Sequence, residues 1–397
     1  MRVSHVMRIY LDHNATTPVA PEAISAIAEA LRTTFGNAAS VHVPGQQAKA
    51  VLEDARASLA ALIGAEPAEV VFTSGGTEAD NFAVRGVAEA CEASGRRHLV
   101  ASAIEHEAVL NTVKALGRRG WAVTLVAPDG SGVVSTGALA AVLRDDTALV
   151  SVMHANNETG VVQPIADLAA LAHRAGAIFH TDAVQSVGKI PVDVGALGAD
   201  LLSLSGHKFH GPKGVGALWI RKGTKLVPTM TGGRQERGRR AGTENVPGLA
   251  GLGVAARLAR EKLPVEQARL AALRDRLERG VLAAVPGSAV NGAGAERVPN
   301  TTNLSFEGVE AESLLIALDL EGIAVSTGSA CSSGTLEPSH VLRAMGLTPH
   351  RVQSALRFSL GAGTTEPEIA RVLEVLPHLV ARLRSLSGAV ARAGERR

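Results

Sequence analysis

The stretch DLLSLSGHKFHGPKGVGALWI, Asp200 to Ile220, sets two apolar runs around a short core of histidine, lysine and glycine. Each run has the length and composition of a buried strand. Lys208 stands where the first run ends, boxed between His207 and His210. An ammonium held against a buried strand end loses hydration, so its ordinary pKa of about 10.4 should fall. A lysine placed there is suited to work as a neutral amine.

Outward from this stretch the same kind of run recurs. EVVFTS, HLVASAI, WAVTLVA, TALVSVM, AIFHTDA, DLLSLS and GALWI read as seven strands. Ala/Leu-rich helical segments such as PIADLAALAHRAGA separate several of them. Strand–helix alternation with apolar strands predicts an α/β fold, a mostly parallel seven-stranded sheet covered by helices on both faces. In such sheets ligands bind beyond the carboxyl ends of the strands, so the residues that close each run matter most.

Near Leu263 the pattern changes. Leu270, Leu273 and Leu277 recur at helical spacing in QARLAALRDRLERG, which reads as an amphipathic helix ended by Gly280. The shorter runs SAVNG, TTNLSF, AESLLIALDLEG and ALRFSL follow, then a final helix from about Pro367. The expected organisation is a large domain over 16–262 and a smaller α+β domain from 1–15 and 263–397. The chain of 397 residues, 46% apolar and 20% charged, has a soluble globular composition. Its net charge of +2 does not suggest a nucleic-acid surface, and the basic cluster Arg234 to Arg240 reads as a solvated face or an anion contact. No run approaches a membrane span, and the first residues lack an apolar signal core, so a cytoplasmic protein is expected. Two cysteines, Cys91 and Cys331, form no disulfide framework.

After EVVF comes TSGGTEADN, where a strand, a glycine pair and a helix start form an anion site from free amides and the helix dipole. Thr77 in the ordinary role of helix N-cap is the plainer alternative. Asp182 closes AIFHTDA with Gln185 one turn on, either as an N-cap or as a buried carboxylate in need of a partner. Lys208 follows Asp182 by 26 residues, about one strand-to-strand crossover, which puts both on one rim. An anion cradle, a lysine and an aspartate on one rim suit pyridoxal phosphate. His106, closing HLVASAIEH, offers an aromatic plane to stack on the ring. Cys91 sits one turn after Val87 as a small core residue. Cys331, in AVSTGSACSSGTLEPSH, lies in a loop rich in Ser and Gly, the setting of a reactive thiol.

The chain resembles the cysteine desulfurases of the NifS/IscS type, within the fold-type I pyridoxal-phosphate transferases. YLDHNATTP, FTSGGTEADN, EHEAVL, HANNETG, HTDAVQ, SLSGHKFHGPKGVG, RRAGTENVPG and STGSACSSG carry the resemblance, nearly end to end. GGRQERGRRAGTENVPG looks closer to the nitrogen-fixation branch than to the housekeeping one. In FGNAASVH, Ala38 stands where the family has proline, which should loosen that loop.

The resemblance implies the following roles. Lys208 would form the Schiff base, Asp182 would pair with the ring nitrogen, Gln185 would bond the ring hydroxyl, and His106 would stack on the ring as a catalytic residue. Gly76, Thr77, Ser205 and His207 would hold the phosphate, with Thr243 reaching across from a second subunit of a homodimer. Asn157 and Arg357 would receive the carboxylate of L-cysteine. Cys331 would accept its sulfur as a persulfide, for delivery to an iron–sulfur scaffold protein. No intrinsic metal site is implied, although Cys331 is placed to ligate a partner's iron–sulfur cluster in passing. A selenocysteine lyase or an aminotransferase shares the rim, but a transaminase needs no Cys331. A non-catalytic assembly scaffold would lack Lys208 or Asp182.

Overall fold

All seven apolar runs form strands of one sheet. The computed structural model describes residues 9–328 and 338–394. After β1 (Ile9–Tyr10), the sheet is built from β2 (Val70–Thr73), β3 (His98–Ser102), β4 (Ala122–Val126), β5 (Thr147–Ser151), β6 (Ile178–Asp182), β7 (Leu201–Ser205) and β8 (Gly216–Ile220). Its order is β2-β8-β7-β6-β5-β3-β4. Every pairing is parallel except those of β8, which runs against both β2 and β7. β8 is reversed because the Lys208 segment joins it to β7 as a direct return, without a crossover helix.

Alternate residues of each strand enter opposite faces. Val71, Leu99, Leu149 and Leu218 pack under the helix Gly76–Glu92 with Phe82 and Val87. On the other face Phe72, Leu202, Leu204 and Trp219 meet Leu52 and Leu59 of Val43–Ile63 and Leu249 and Leu252 of Val246–Ala284. Val100, Val150 and Phe179 meet Leu168 of Ile165–Arg174. Each such aliphatic or aromatic side chain stabilises the fold by roughly 1.5–3 kcal/mol. Burial on both faces is why the strands read as continuous apolar runs.

The second sheet is antiparallel, β9 (Ser288–Val290), β10 (Thr301–Phe306) and β12 (Ala355–Ser359), in the order β12-β10-β9. β1 pairs in parallel with β11 (Ile323–Ala324). One cluster joins Ile9 and Leu11 to Leu270, Leu277, Phe306, Phe358 and Leu376. The helix read as ending at Gly280 instead runs Val246–Ala284, through Pro264 and across the change in pattern near Leu263. Gly280 is no cap. A Cβ there would lie 2.5 Å from Leu373, so glycine lets the helix Glu366–Gly394 pack close. Among the described residues no helix is long and apolar enough to cross a membrane.

Candidate active site

The carboxyl ends of the parallel strands form one rim. At the end of β2, Gly75 has φ 154 and ψ −174, a conformation open to glycine and closed to residues with a Cβ. It, not Thr77, is the N-cap of Gly76–Glu92, and Thr77 lies exposed in the first turn. A Cβ on Gly76 would lie 2.9 Å from Val184 and 3.6 Å from Ser205, so the cradle's floor touches the ends of β6 and β7. Glu78 in the same turn accepts from Ser74 N (2.8 Å) and pairs with Arg240 through both oxygens (2.8 and 3.1 Å). Burial pushes its carboxyl up, but Arg240 and Ser74 together bring it below the usual range.

That pair revises the reading of the basic cluster. Arg240 holds Glu78, while Arg237 and Arg239 both donate to Ala68 O (2.9 Å each). Buried Glu236 accepts from Arg56 (2.7 and 2.8 Å) and from Phe72 N (2.9 Å), despite a left-handed φ of 47. The cluster therefore pins its loop to the large sheet. Thr243, three residues beyond Arg240, is exposed. Among the described residues it makes no hydrogen bond to Gly76, Thr77, Ser205 or His207 of its own chain. Ala38 is buried against Ala48 and Val246, so packing holds that position without the proline.

Asp182 ends β6, beside β7 with Ser203 as its register partner. Its Oδ1 accepts from Val184 N (2.9 Å), capping a turn rather than a helix. Burial raises its pKa, with partial offset from His106, the Val184 amide and Lys208. His106 N-caps the helix Glu107–Gly117, and its Nδ1 accepts from Ala108 N (3.1 Å), which fixes the plane of an exposed ring.

Lys208 closes the short turn Gly206–Lys208 after β7. Its Nζ donates to Asn14 O (2.6 Å) and Ala15 O (2.8 Å). Burial first, then Arg357, pushes its pKa down to about 8, against the pull of Asp182 and Asp12. The expected fall is therefore present. His207 bonds Thr16 Oγ1 (3.1 Å), and His210 reaches Pro18 O (2.9 Å) from a φ of 66. Both histidines thus dock the segment 14–18 beneath Lys208. Gln185 Nε2 donates to Asn14 O (2.9 Å). Arg357, on β12, donates to Asn157 O (2.9 Å) and to Asp12 Oδ1 (2.7 Å), leaving Nε as the unpartnered donor. Both terminal nitrogens are thus already engaged, each with one further N–H to give.

Asn14, Lys189, Asp80 and Glu105 were not singled out from sequence, yet all are buried at this rim. Cys331 lies outside the described residues. The two described residues nearest it in sequence on either side that touch a common group are Gly328 and Ser339. A Cβ on Gly328 would lie 3.1 Å from Glu158, and Ser339 Oγ donates to Glu158 Oε2 (2.5 Å). Cys91 is half-buried at the edge of the cluster around Phe82, and burial pushes its thiol pKa up.

Residues 9–372 match the aminotransferase class-V family. A cysteine desulfurase of Cereibacter sphaeroides is 52% identical over 382 residues, covering 96% of this chain and 97% of the relative. The cysteine desulfurase IscS of Methanosarcina thermophila is 48% identical, covering 96% and 93%. A solved NifS-like protein superposes with a TM-score of 0.89 at 38% identity, covering 95% of this chain and all of the other. Family, relatives and rim agree: the chain belongs to the aminotransferase class-V family and, within it, to the pyridoxal-phosphate-dependent cysteine desulfurases.

Proposed function

We infer that the chain takes sulfur from L-cysteine, leaves L-alanine, and holds the sulfur as a persulfide on Cys331. The observation that carries this is Lys208, an amine pushed down to about 8, held by two carbonyl oxygens and in the electrostatic field of Asp182 and Arg357. The donor set fits pyridoxal phosphate. A glycine-floored helix N-terminus suits the phosphate, and buried Asp182 suits a protonated ring nitrogen. Bound there, the cofactor supplies an electron sink for the charge left at the substrate Cα.

The chain's own residues do the rest. With its pKa at about 8, roughly a tenth of Lys208 is neutral at pH 7, enough to serve as nucleophile and then as base at Cα. The second N–H of each terminal nitrogen of Arg357 is left for the substrate carboxylate, with Asn157 beside it. The Cys331 thiolate bonds to the substrate sulfur as the Cβ–S bond breaks. The electron pair of that bond leaves on carbon, which gains a proton and departs as alanine. Sulfur is oxidised and carbon reduced within one reaction, so no outside oxidant is needed.

The assigned roles of Gly76, Thr77, Ser205, His207, Gln185 and His106 belong to the same reading. So do a homodimer in which Thr243 completes the partner's phosphate site, an iron–sulfur scaffold as acceptor, and the division at 262/263. Cys331→Ser tests the sulfur step. It should bind the cofactor, show its visible band, and release neither alanine nor sulfide from cysteine. Wild type should gain one sulfur atom on the Cys331 peptide by mass spectrometry, removable with dithiothreitol. Full turnover by Cys331→Ser, or sulfur on Cys91 instead, overturns the assignment.

A further inference from the structure

Lys189 is a buried amine that the proposed reaction does not use. It lies four residues after Gln185 and is 8% exposed. Its Nζ donates to Asn14 Oδ1 (2.8 Å) and to Gln185 Oε1, both neutral amide oxygens. The charged and titratable groups around it are Lys208, Arg357 and the imidazoles of His13, His207 and His210. A buried ammonium among other bases costs stability, and burial, Lys208 and Arg357 hold its pKa well below that of an ordinary lysine. Placement there demands a compensating role.

The hydrogen bonds supply one. A lysine Nζ has hydrogens to give whether it is charged or neutral. Facing Gln185 Oε1, it fixes which end of that amide points away. The far end, Nε2, donates to Asn14 O at 2.9 Å, the same oxygen that takes Lys208 Nζ at 2.6 Å. Asn14 is itself held by Asn300 Nδ2 on Oδ1 (3.1 Å) and through its own Nδ2 to Thr301 Oγ1 (2.9 Å) and Asn157 O (3.1 Å). Gln185 Nε2 and Lys208 Nζ thus converge on one point, with Lys189 behind one and Asn14 beneath both.

We propose that Lys189 is a positioning residue, which locks the Gln185 amide with its N–H end toward the ring oxygen of the cofactor bound at Lys208. The inference rests on the assignment of Gln185 to that oxygen. Without Lys189 only the bond from Nε2 to Asn14 O would set the amide. Its carbonyl would turn to the anionic oxygen part of the time, and the proton shared between that oxygen and the Lys208 nitrogen would be held more tightly.

The test is the pH dependence of the visible band of cofactor-loaded protein, measured without cysteine. Lys189→Met should raise the midpoint by about one pH unit. Gln185→Ala should raise it comparably, and the double variant no further, because Lys189 acts through Gln185. An unmoved midpoint in Lys189→Met, or a double variant shifted by the sum of the two, overturns the proposal. Should Lys189→Met fail to fold, Lys189→Leu also lacks a donor and should raise the midpoint likewise, and no shift there also overturns the proposal. Lys189→Gln, which keeps a donor, should shift it less than either. A wild type without a pH-dependent band would instead sink the cofactor reading, and this inference with it.

Discussion

Two groups of buried charge meet at this rim, and burial acts on them in opposite directions. Asp80, Glu105 and Asp182 sit on or beside the strand ends, and each is pushed toward the protonated acid. Burial is the first cause in all three, and their mutual repulsion adds to it. Lys208 and Lys189 are both pushed toward the free amine by burial and by Arg357, and Lys189 also by Lys208. In both groups burial works against the charged form. The arrangement matches a ligand that is cationic where it meets Asp182 and anionic where it meets Arg357, which restores charge on both sides. A pyridinium ring joined to an amino acid carboxylate is such a ligand.

Lys208→Ala breaks the basic side at its centre and should have the largest effect. The variant should lose the covalently bound visible cofactor and at least about a thousandfold in alanine release, since nucleophile and base vanish together. An unchanged band in Lys208→Ala would mean that another amine carries the cofactor. Asp182→Asn breaks the acidic side more gently. The amide keeps an oxygen for Val184 N but cannot sustain a ring cation, so turnover should fall about a hundredfold. Its cofactor-free form should melt no lower than wild type at neutral pH, because the amide carries none of the desolvation cost that burial puts on the carboxylate. Wild-type turnover in that variant would separate Asp182 from the chemistry.

How much of this was legible in sequence follows from the same contrast. Strands buried on both faces advertise themselves as apolar runs, and the half-exposed edge strand β4 keeps the same apolar composition, so all seven were visible, and with them the strand-end positions of Asp182 and Lys208. Burial of a polar residue leaves no such trace. Asn14 lies far from Lys208 along the chain, yet supplies its main hydrogen-bond acceptor, and nothing in YLDHNATTP pairs it with HKFHG. Lys189 did have a local signal, its spacing of four from Gln185 in HTDAVQSVGK, but a lysine at helical spacing is ordinarily a solvated one. The helix Val246–Ala284 hid its continuity because Pro264 and a change of partner core interrupt the pattern, not the backbone. Gly280 looked like a stop because close helix packing and left-handed caps favour the same residue.

The smallest effect sharpens the comparison by isolating one acid. Glu105 is fully buried, with Oε1 accepting from Ser102 Oγ and from Met153 N (2.6 Å), while Oε2 has no partner. Burial pushes its pKa from 4.5 up to about 8, Asp182 adds to the rise, and the two hydrogen bonds oppose it. Between those values the folded protein keeps a proton that the unfolded chain has released. Stability from this residue is therefore whole below about pH 4.5 and is lost as pH climbs toward 8. The histidines held low by burial, His154 and His180, act with the opposite sign, but their window closes at 6.5, where the unfolded imidazole has lost its proton. From pH 6.5 to 8 an acid such as Glu105 gives a slope of up to about 1.4 kcal/mol per unit for one full proton. The lowered lysines Lys189 and Lys208 oppose it, so the difference between a Glu105 variant and wild type isolates the acid. Glu105→Gln keeps an oxygen for Ser102 and Met153 and carries no proton to lose. Urea unfolding of cofactor-free protein should therefore show the variant gaining on wild type as pH rises from 6.5 to 8. Parallel pH profiles for the two proteins would show that Glu105 is already ionised in the fold, and that the acidic group holds its charge without help from a ligand.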